Sequence, residues 1–125
     1  MTDYRLDLLK LPVSDVEAAA DFYADVLGFE LDFAVGEYGW AQLSVGDLRL
    51  ALYEPGKGGG DGVIGGSADF HLWLPPEPFE RLAETLIDAG ALAGGEVQRS
   101  DDGSSFLEAR DPDGNTIKVV RREEG

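Results

Sequence analysis

The chain has no cysteine. Disulfides and thiolate metal sites are excluded, and the missing cysteines say little about compartment. No apolar run approaches the ~20 residues that a membrane span requires. The opening MTDYRLDLLK lacks a basic stretch followed by an apolar core, so no signal peptide is expected. A soluble, cytoplasmic protein with no membrane partner is the expectation. Positive charge is scarce: three lysines among 10 basic residues stand against 25 acids, for a net charge of −15. Such a surface repels phosphates, which excludes nucleic acid as a partner and steers cationic ligands inward. Two plainer readings of the acidity are solubility and adaptation to high salt.

What is present fits one domain, 1–125, whose 125 residues bury roughly two thirds of their unfolded surface. Residues 4–13, YRLDLLKLPV, read as a strand. A helix follows over 15–27, capped by Ser14 or Asp15, with Glu17 placed for a capping box with Ser14. Val16, Ala19, Ala20, Tyr23, Val26 and Leu27 recur at helical spacing, and Gly28 stops the helix. FELDFAV, YGWAQLSV and DLRLALYE then read as three strands, the last two joined by a tight turn at Val45-Gly46-Asp47-Leu48. Residues 55–66, PGKGGGDGVIGG, hold seven glycines in twelve positions and form a linker or a flap. They lack the GK[ST] ending and the following helix of a phosphate cradle.

The pattern then restarts. SADFHLWLP (67–75) is a strand, and PEPFERLAETLIDAG is a helix with Phe79, Leu82, Ala83, Leu86 and Ile87 on one face and Gly90 as its stop. GGEVQRS, SSFLEARD and TIKVVRR are three further strands, the last two joined by the DPDGN turn. The order βαβββ occurs twice, as module one (4–54) and module two (67–121). Asp15 to Gly28 and Glu77 to Gly90 are both thirteen residues, as internal duplication predicts.

The stretch LPVSDVEAAADFYADVLGFEL, through Leu11, Val13, Asp15, Ala19, Phe22-Tyr23 and Leu27-Gly28-Phe29, resembles the first-helix signature of the vicinal oxygen chelate superfamily. That group includes glyoxalase I, bleomycin-resistance proteins, fosfomycin-resistance enzymes and extradiol dioxygenases. DPDGNTIKVV resembles its final hairpin, and the resemblance spans residues 4–121. It implies an α+β fold in which two βαβββ modules form an open, barrel-like bowl, commonly as a homodimer. The fold hosts many activities.

Metal-dependent members of that superfamily place one ligand on the first and one on the last strand of each module. Carried over one at a time, the four positions fall on Leu8, at or near Leu50, on His71 (the only histidine) and on Lys118. Leucine has no donor, and a charged lysine has no lone pair. No metal and no cofactor are therefore expected. Strand alternation places Leu8, Lys10, Leu50, Asp69, His71, Trp73 and Lys118 on the bowl lining; on the third strand either Trp40 and Gln42 or Ala41 and Leu43 face in. Leu8, Lys10, Trp40, Leu50, Asp69, His71, Trp73 and Lys118 form the candidate ligand-binding set, with His71 and Lys118 the catalytic candidates.

Each of these residues also has a structural explanation. His71 reads as a hydrogen-bonded, partly buried histidine, Lys118 as the partner of Asp69 or Glu108, and the tryptophans as core or wall. Lys10 reads as a snorkelling surface residue. The leading functional expectation is a metal-independent protein that binds or sequesters a small organic molecule, cationic or aromatic, in the manner of the bleomycin-resistance branch. The alternatives are a metal-dependent lyase, epimerase, thiol transferase or dioxygenase, which requires a different ligand placement; a metal-free enzyme with His71 as base beside Lys118; and a partner-binding module without a cavity.

Overall fold

The computed structural model describes residues 3–124. Asp15 caps the first helix: its extended backbone lets its carboxylate accept from the Glu17 and Ala18 N–H groups. Between the two predicted caps, Ser14 and Asp15, the carboxylate holds the position. Helix α1 then runs Val16–Asp25. Its stripe of Val16, Ala19, Ala20 and Tyr23 is buried, and Gly28, at φ 80°, turns the chain out of it.

The strands are β1 (Leu9–Pro12), β2 (Glu30–Val35), β3 (Trp40–Val45), β4 (Leu48–Tyr53), β5 (Ser67–Leu74), β6 (Gln98–Arg99), β7 (Ser105–Arg110) and β8 (Thr116–Arg121). Helix α2 is Pro76–Asp88, with proline in its first turn, where the missing N–H costs nothing. The eight strands form two separate four-stranded sheets, ordered β1-β4-β3-β2 and β5-β8-β7-β6, neither closed into a barrel. Each sheet is an antiparallel meander to which the module's opening strand is added in parallel. The duplicated βαβββ order read from the sequence is therefore the architecture. The chain divides into two compact units between Ile64 and Gly65, inside the glycine-rich stretch.

Within the first unit the core lies between α1 and one side of its sheet. Leu11, Ala41, Leu43, Leu50 and Leu52 are buried there. The second unit repeats the arrangement with Phe79, Ala83 and Leu86 of α2 and with Leu107, Ala109, Ile117 and Val119 of the sheet. Ile87, predicted to share the α2 core face, is instead 55% exposed. The buried stripe at 79, 83 and 86 is narrower than the five-residue face predicted, and Ile87 falls outside it. Two strands are shorter than their patterns: β1 begins only at Leu9, and β6 shrinks from GGEVQRS to two residues because Gly94 and Gly95, both at positive φ, belong to a turn.

The DPDGN turn is tied by buried polar groups. The Asp111 carboxylate accepts from the N–H of Asp113 and of Asn115 and from the Asn115 side-chain amide, each at 2.9 Å. Asn115 in turn accepts from the Gly65 N–H at 2.7 Å, fixing the entry to β5 beside the start of β8.

Candidate functional site

In the second unit β5 alternates regularly, with Asp69, His71 and Trp73 exposed and Phe70, Leu72 and Leu74 half-buried. His71 pairs with Lys118 across β5–β8, and Lys118 pairs with Glu108 across β8–β7. Directly paired residues point to the same side of a sheet, so His71, Lys118 and Glu108 stand in one row. The next row is Trp73, Val120 and Phe106. This side faces away from the α2 core, and Trp73 is 45% exposed on it. Sequence alternation thus placed His71, Trp73 and Lys118 together correctly. Asp69 is on the same side of β5, but in the irregular stretch between Ser67 and His71 where the register shifts.

Lys118 does not pair with Asp69 or Glu108; among the described residues it makes no ion pair. Its Nζ instead lies 4.2 Å from the centre of the Phe106 ring. The guanidinium of Arg122 covers the Trp73 ring at 5.4 Å. Both rings therefore face a cation of the chain itself, an arrangement favoured by the ring quadrupole. Asp102 is held below the usual carboxylate range chiefly by the Ser104 hydroxyl, then by the Ser104 N–H, with a smaller pull from the Lys118 ammonium.

In the first unit the corresponding side of the sheet carries the rows Lys10–Ala51–Gln42 and Pro12–Tyr53–Trp40. The glycine-rich loop lies against this side. A Cβ on Gly59 would come within 3.0 Å of Trp40 ring carbons, and one on Gly60 within 2.9 Å of the Tyr53 ring. The Gly62 N–H donates to the Tyr53 hydroxyl at 3.0 Å. The Lys10 ammonium donates to the Gly59 carbonyl at 2.6 Å and sits 5.3 Å from the Tyr53 ring centre. Of the linker and flap readings, the structure gives a strap laid over its own unit. Lys10 and Trp40 are brought together as expected, but the chain itself engages both. Tyr53, which sequence reasoning did not single out, anchors the strap.

Leu50 is not on this side. It pairs with Leu9 and Leu43, is 2% exposed and belongs to the α1 core with Leu52. Its assignment to a ligand-facing surface is corrected: β4 turns Arg49, Ala51 and Tyr53 to that side, and a shift of one residue reverses every side chain of a strand. Leu8 lies just before β1 and is half-buried. Glu54 caps the other end of this unit's chemistry. It accepts from the Val16 N–H at 3.0 Å, at the start of α1, and pairs with Lys57 at 2.8 Å.

The donor set can be tested against a divalent cation. Leu8 and Leu50 offer hydrocarbon, the neighbouring Ala51 a methyl group and Lys118 an ammonium, leaving His71 as the single donor among the four inferred positions. Among the described residues no group of three or more His, Asp or Glu side chains is placed to hold a metal ion. These residues do not fit the metal centre that the resemblance implies.

Residues 5–119 match the Glyoxalase/Bleomycin resistance protein/Dioxygenase superfamily. The chain belongs to that superfamily. Its fold is similar to that of a lactoylglutathione lyase from Agrobacterium tumefaciens, with 20% identity, 96% of this chain and 94% of that chain covered, and a TM-score of 0.78. It is also similar to a superfamily member from Sphaerobacter thermophilus, at 23% identity over 95% and 98% of the two chains, TM-score 0.75. A third is the bleomycin-binding protein of Streptomyces verticillus, solved with copper(II)-bleomycin, at 23% identity over 98% and 100%, TM-score 0.65. At these identities the likeness establishes the fold. Among the described residues no helix is long and apolar enough to cross a membrane.

Proposed function

We propose that this superfamily member binds a small aromatic molecule without a metal, on the exposed side of the second unit's sheet. The observation that carries the reading is the pair of adjacent rows: His71, Lys118 and Glu108 beside Trp73, Val120 and Phe106. An exposed indole next to a line of hydrogen-bonding groups suits a planar guest with polar substituents. The charges support an aromatic over a cationic guest, since Arg122 and Lys118 already occupy the cation positions over Trp73 and Phe106. Homodimerisation and a cytoplasmic setting belong to the same proposal. A monomeric mass at micromolar concentration would count against the dimer.

The test is a thermal-shift screen of neutral, anionic and cationic aromatic compounds, run on the wild type, Trp73→Leu and Lys118→Met. Compounds that raise the melting temperature of the wild type and not of Trp73→Leu support the proposal. Equal shifts in both proteins, or no shift at millimolar concentration, overturn it. Elemental analysis after incubation with nickel, zinc, manganese and iron(II) and desalting tests the metal-free part; one retained metal per chain refutes it.

The row also favours a second reading, a metal-free enzyme. His71 would take a proton while the Lys118 ammonium, its register partner, stabilises the developing oxyanion. On a substrate found by the screen, His71→Ala with unchanged turnover would remove this reading.

A further inference from the structure

The helix side of the second sheet carries a feature that the superfamily reading leaves unused. At the open end of the α2 core a cavity of about 570 Å³ is lined by Phe79 and Glu80 of α2, Val97, Arg99, Gly103, Ser104, Ser105, Arg121 and Glu123. Arg99 pairs with Ser105 across β6–β7. Phe106 pairs with Val120, and the same ladder continued by one residue sets Arg121 beside Ser105. Ser105 and Arg121 stand two residues before Leu107 and two after Val119, on the buried side of their strands, opposite to Trp73. The result is a row of guanidinium, hydroxyl and guanidinium facing into one cavity. It is notable in a chain with 10 basic residues against 25 acids.

These groups are only loosely engaged. Arg99 donates to the Gly103 carbonyl at 3.1 Å and, among the described residues, forms no ion pair. Arg121 reaches Glu80 at 3.5 Å and Glu123 at 3.4 Å, with both carboxylate side chains exposed. Close charge-assisted pairs lie near 2.8 Å, so these are long, and exposed pairs of this kind contribute little. Ser104 differs, because its hydroxyl is already committed to Asp102 at 2.6 Å. The Ser105 hydroxyl has no partner among the described residues.

We infer that this cavity binds a small apolar monocarboxylate, with its carboxylate between Arg99 and Arg121 on the Ser105 hydroxyl and its hydrocarbon against Val97. Guanidinium forks match a carboxylate in geometry as well as charge. Val97 is 39% exposed and offers the apolar contact, with Phe79 forming the floor. Among anions, the charge count favours a single negative charge over a larger one. Two arginines and two glutamates leave the cavity formally neutral, and the −15 of the whole chain opposes a phosphate or a dicarboxylate more than a monoanion. One carboxylate can take over the long Arg121 contacts as Glu80 and Glu123 turn to solvent.

The probe is 3-methylbutanoate, titrated into ¹⁵N-labelled full-length protein and followed by amide and arginine Nε shifts, with 3-methylbutanamide as the neutral isostere. Its hydrocarbon is not aromatic, so stacking on Trp73 does not contribute. The expected result is saturable shifts centred on Val97, Arg99, Ser105 and Arg121, and affinity for the amide at least about tenfold lower, as loss of a charge-assisted contact implies. Arg99→Gln and Arg121→Gln should each weaken binding by about tenfold or more at an unchanged fold, judged from undisturbed shifts of the α2 core. No saturable shifts, equal binding of the amide, equal binding by the Arg99→Gln/Arg121→Gln double variant, or shifts centred on His71 and Trp73 would each overturn the inference. The last outcome would also leave the aromatic-binding proposal standing by itself.

Discussion

Leu50 is 2% exposed against Leu9 and Leu43, while Leu8, just outside β1, is only half-buried. Both mark positions where a metal ligand was inferred, and their energetics differ. Leu50→Ala should cost about 2–5 kcal/mol, the usual range for emptying a well-packed core site. Leu8→Ala should cost about 1 kcal/mol. Urea unfolding of the two variants checks this, and similar midpoints would contradict the assignment of Leu50 to the core. The alternation of Leu48, Leu50 and Leu52 was legible in the sequence, but the side they face was not. β4 carries apolar residues on both sides, with Ala51 and Tyr53 also buried, so polarity could not choose between them. On β5, where Asp69 and His71 alternate with Phe70 and Leu72, polarity did choose.

Glu54 allows a pH prediction at the same scale. The Lys57 ammonium first, and then the Val16 N–H, hold its carboxyl below the ordinary value of 4.5. A lowered folded-state pKa adds stability that is fully present above the unfolded value and is lost as pH falls through the folded value. Glu54→Gln should therefore lower stability by about 1 kcal/mol at pH 7, a typical helix-start contribution. The difference from wild type should shrink as pH drops below 4.5. Denaturant midpoints at several pH values measure it, and a difference that stays constant with pH would exclude this role.

The strap is the element least visible in advance. Seven glycines between 55 and 66 announced a loop without regular structure. They did not announce where it rests, because that depends on the backbone reaching the faces of Trp40 and Tyr53, a contact between positions up to 19 residues apart. Gly59, Gly60 and Gly62 lie where a side chain would strike those rings or the Tyr53 hydroxyl. Gly62→Ala should detach the strap locally. The expected signs are faster proteolysis within residues 55–62 and greater acrylamide quenching of Trp40 in a Trp73→Phe background. Unchanged cleavage and quenching would show that the strap tolerates the methyl group. Helix α1 is legible in advance, because its helical spacing and its capping Asp15 are local signals. Ile87 and β6 were read poorly, because a tertiary packing limit and two positive-φ glycines decided them.

At the scale of the molecule the dominant quantity is charge. A net −15 on 125 residues works against any compact state through self-repulsion. Monovalent salt screens such repulsion over about 10 Å at 0.1 M. The melting temperature should therefore rise between low salt and 0.5 M sodium chloride, with potassium chloride giving the same effect. A flat or falling curve would mean that attractive pairs such as Lys57–Glu54 outweigh the repulsion.

The parallel pairing of the first strand with the last in each unit sets an order of assembly during synthesis. The meander β2-β3-β4 can zip through neighbouring hairpins as it leaves the ribosome, but β1 must wait for β4 before it has a partner. Closing that long loop late is the slow step expected of non-local pairing. The first unit is complete once Tyr53 and the strap have emerged, whereas the second waits for Thr116–Arg121. Ribosome-stalled chains exposing residues 1–64 should thus already resist protease across α1 and β4, while chains stalled before β8 leave β5 open to cleavage. Equal sensitivity of both halves would mean that neither unit folds until the other is present.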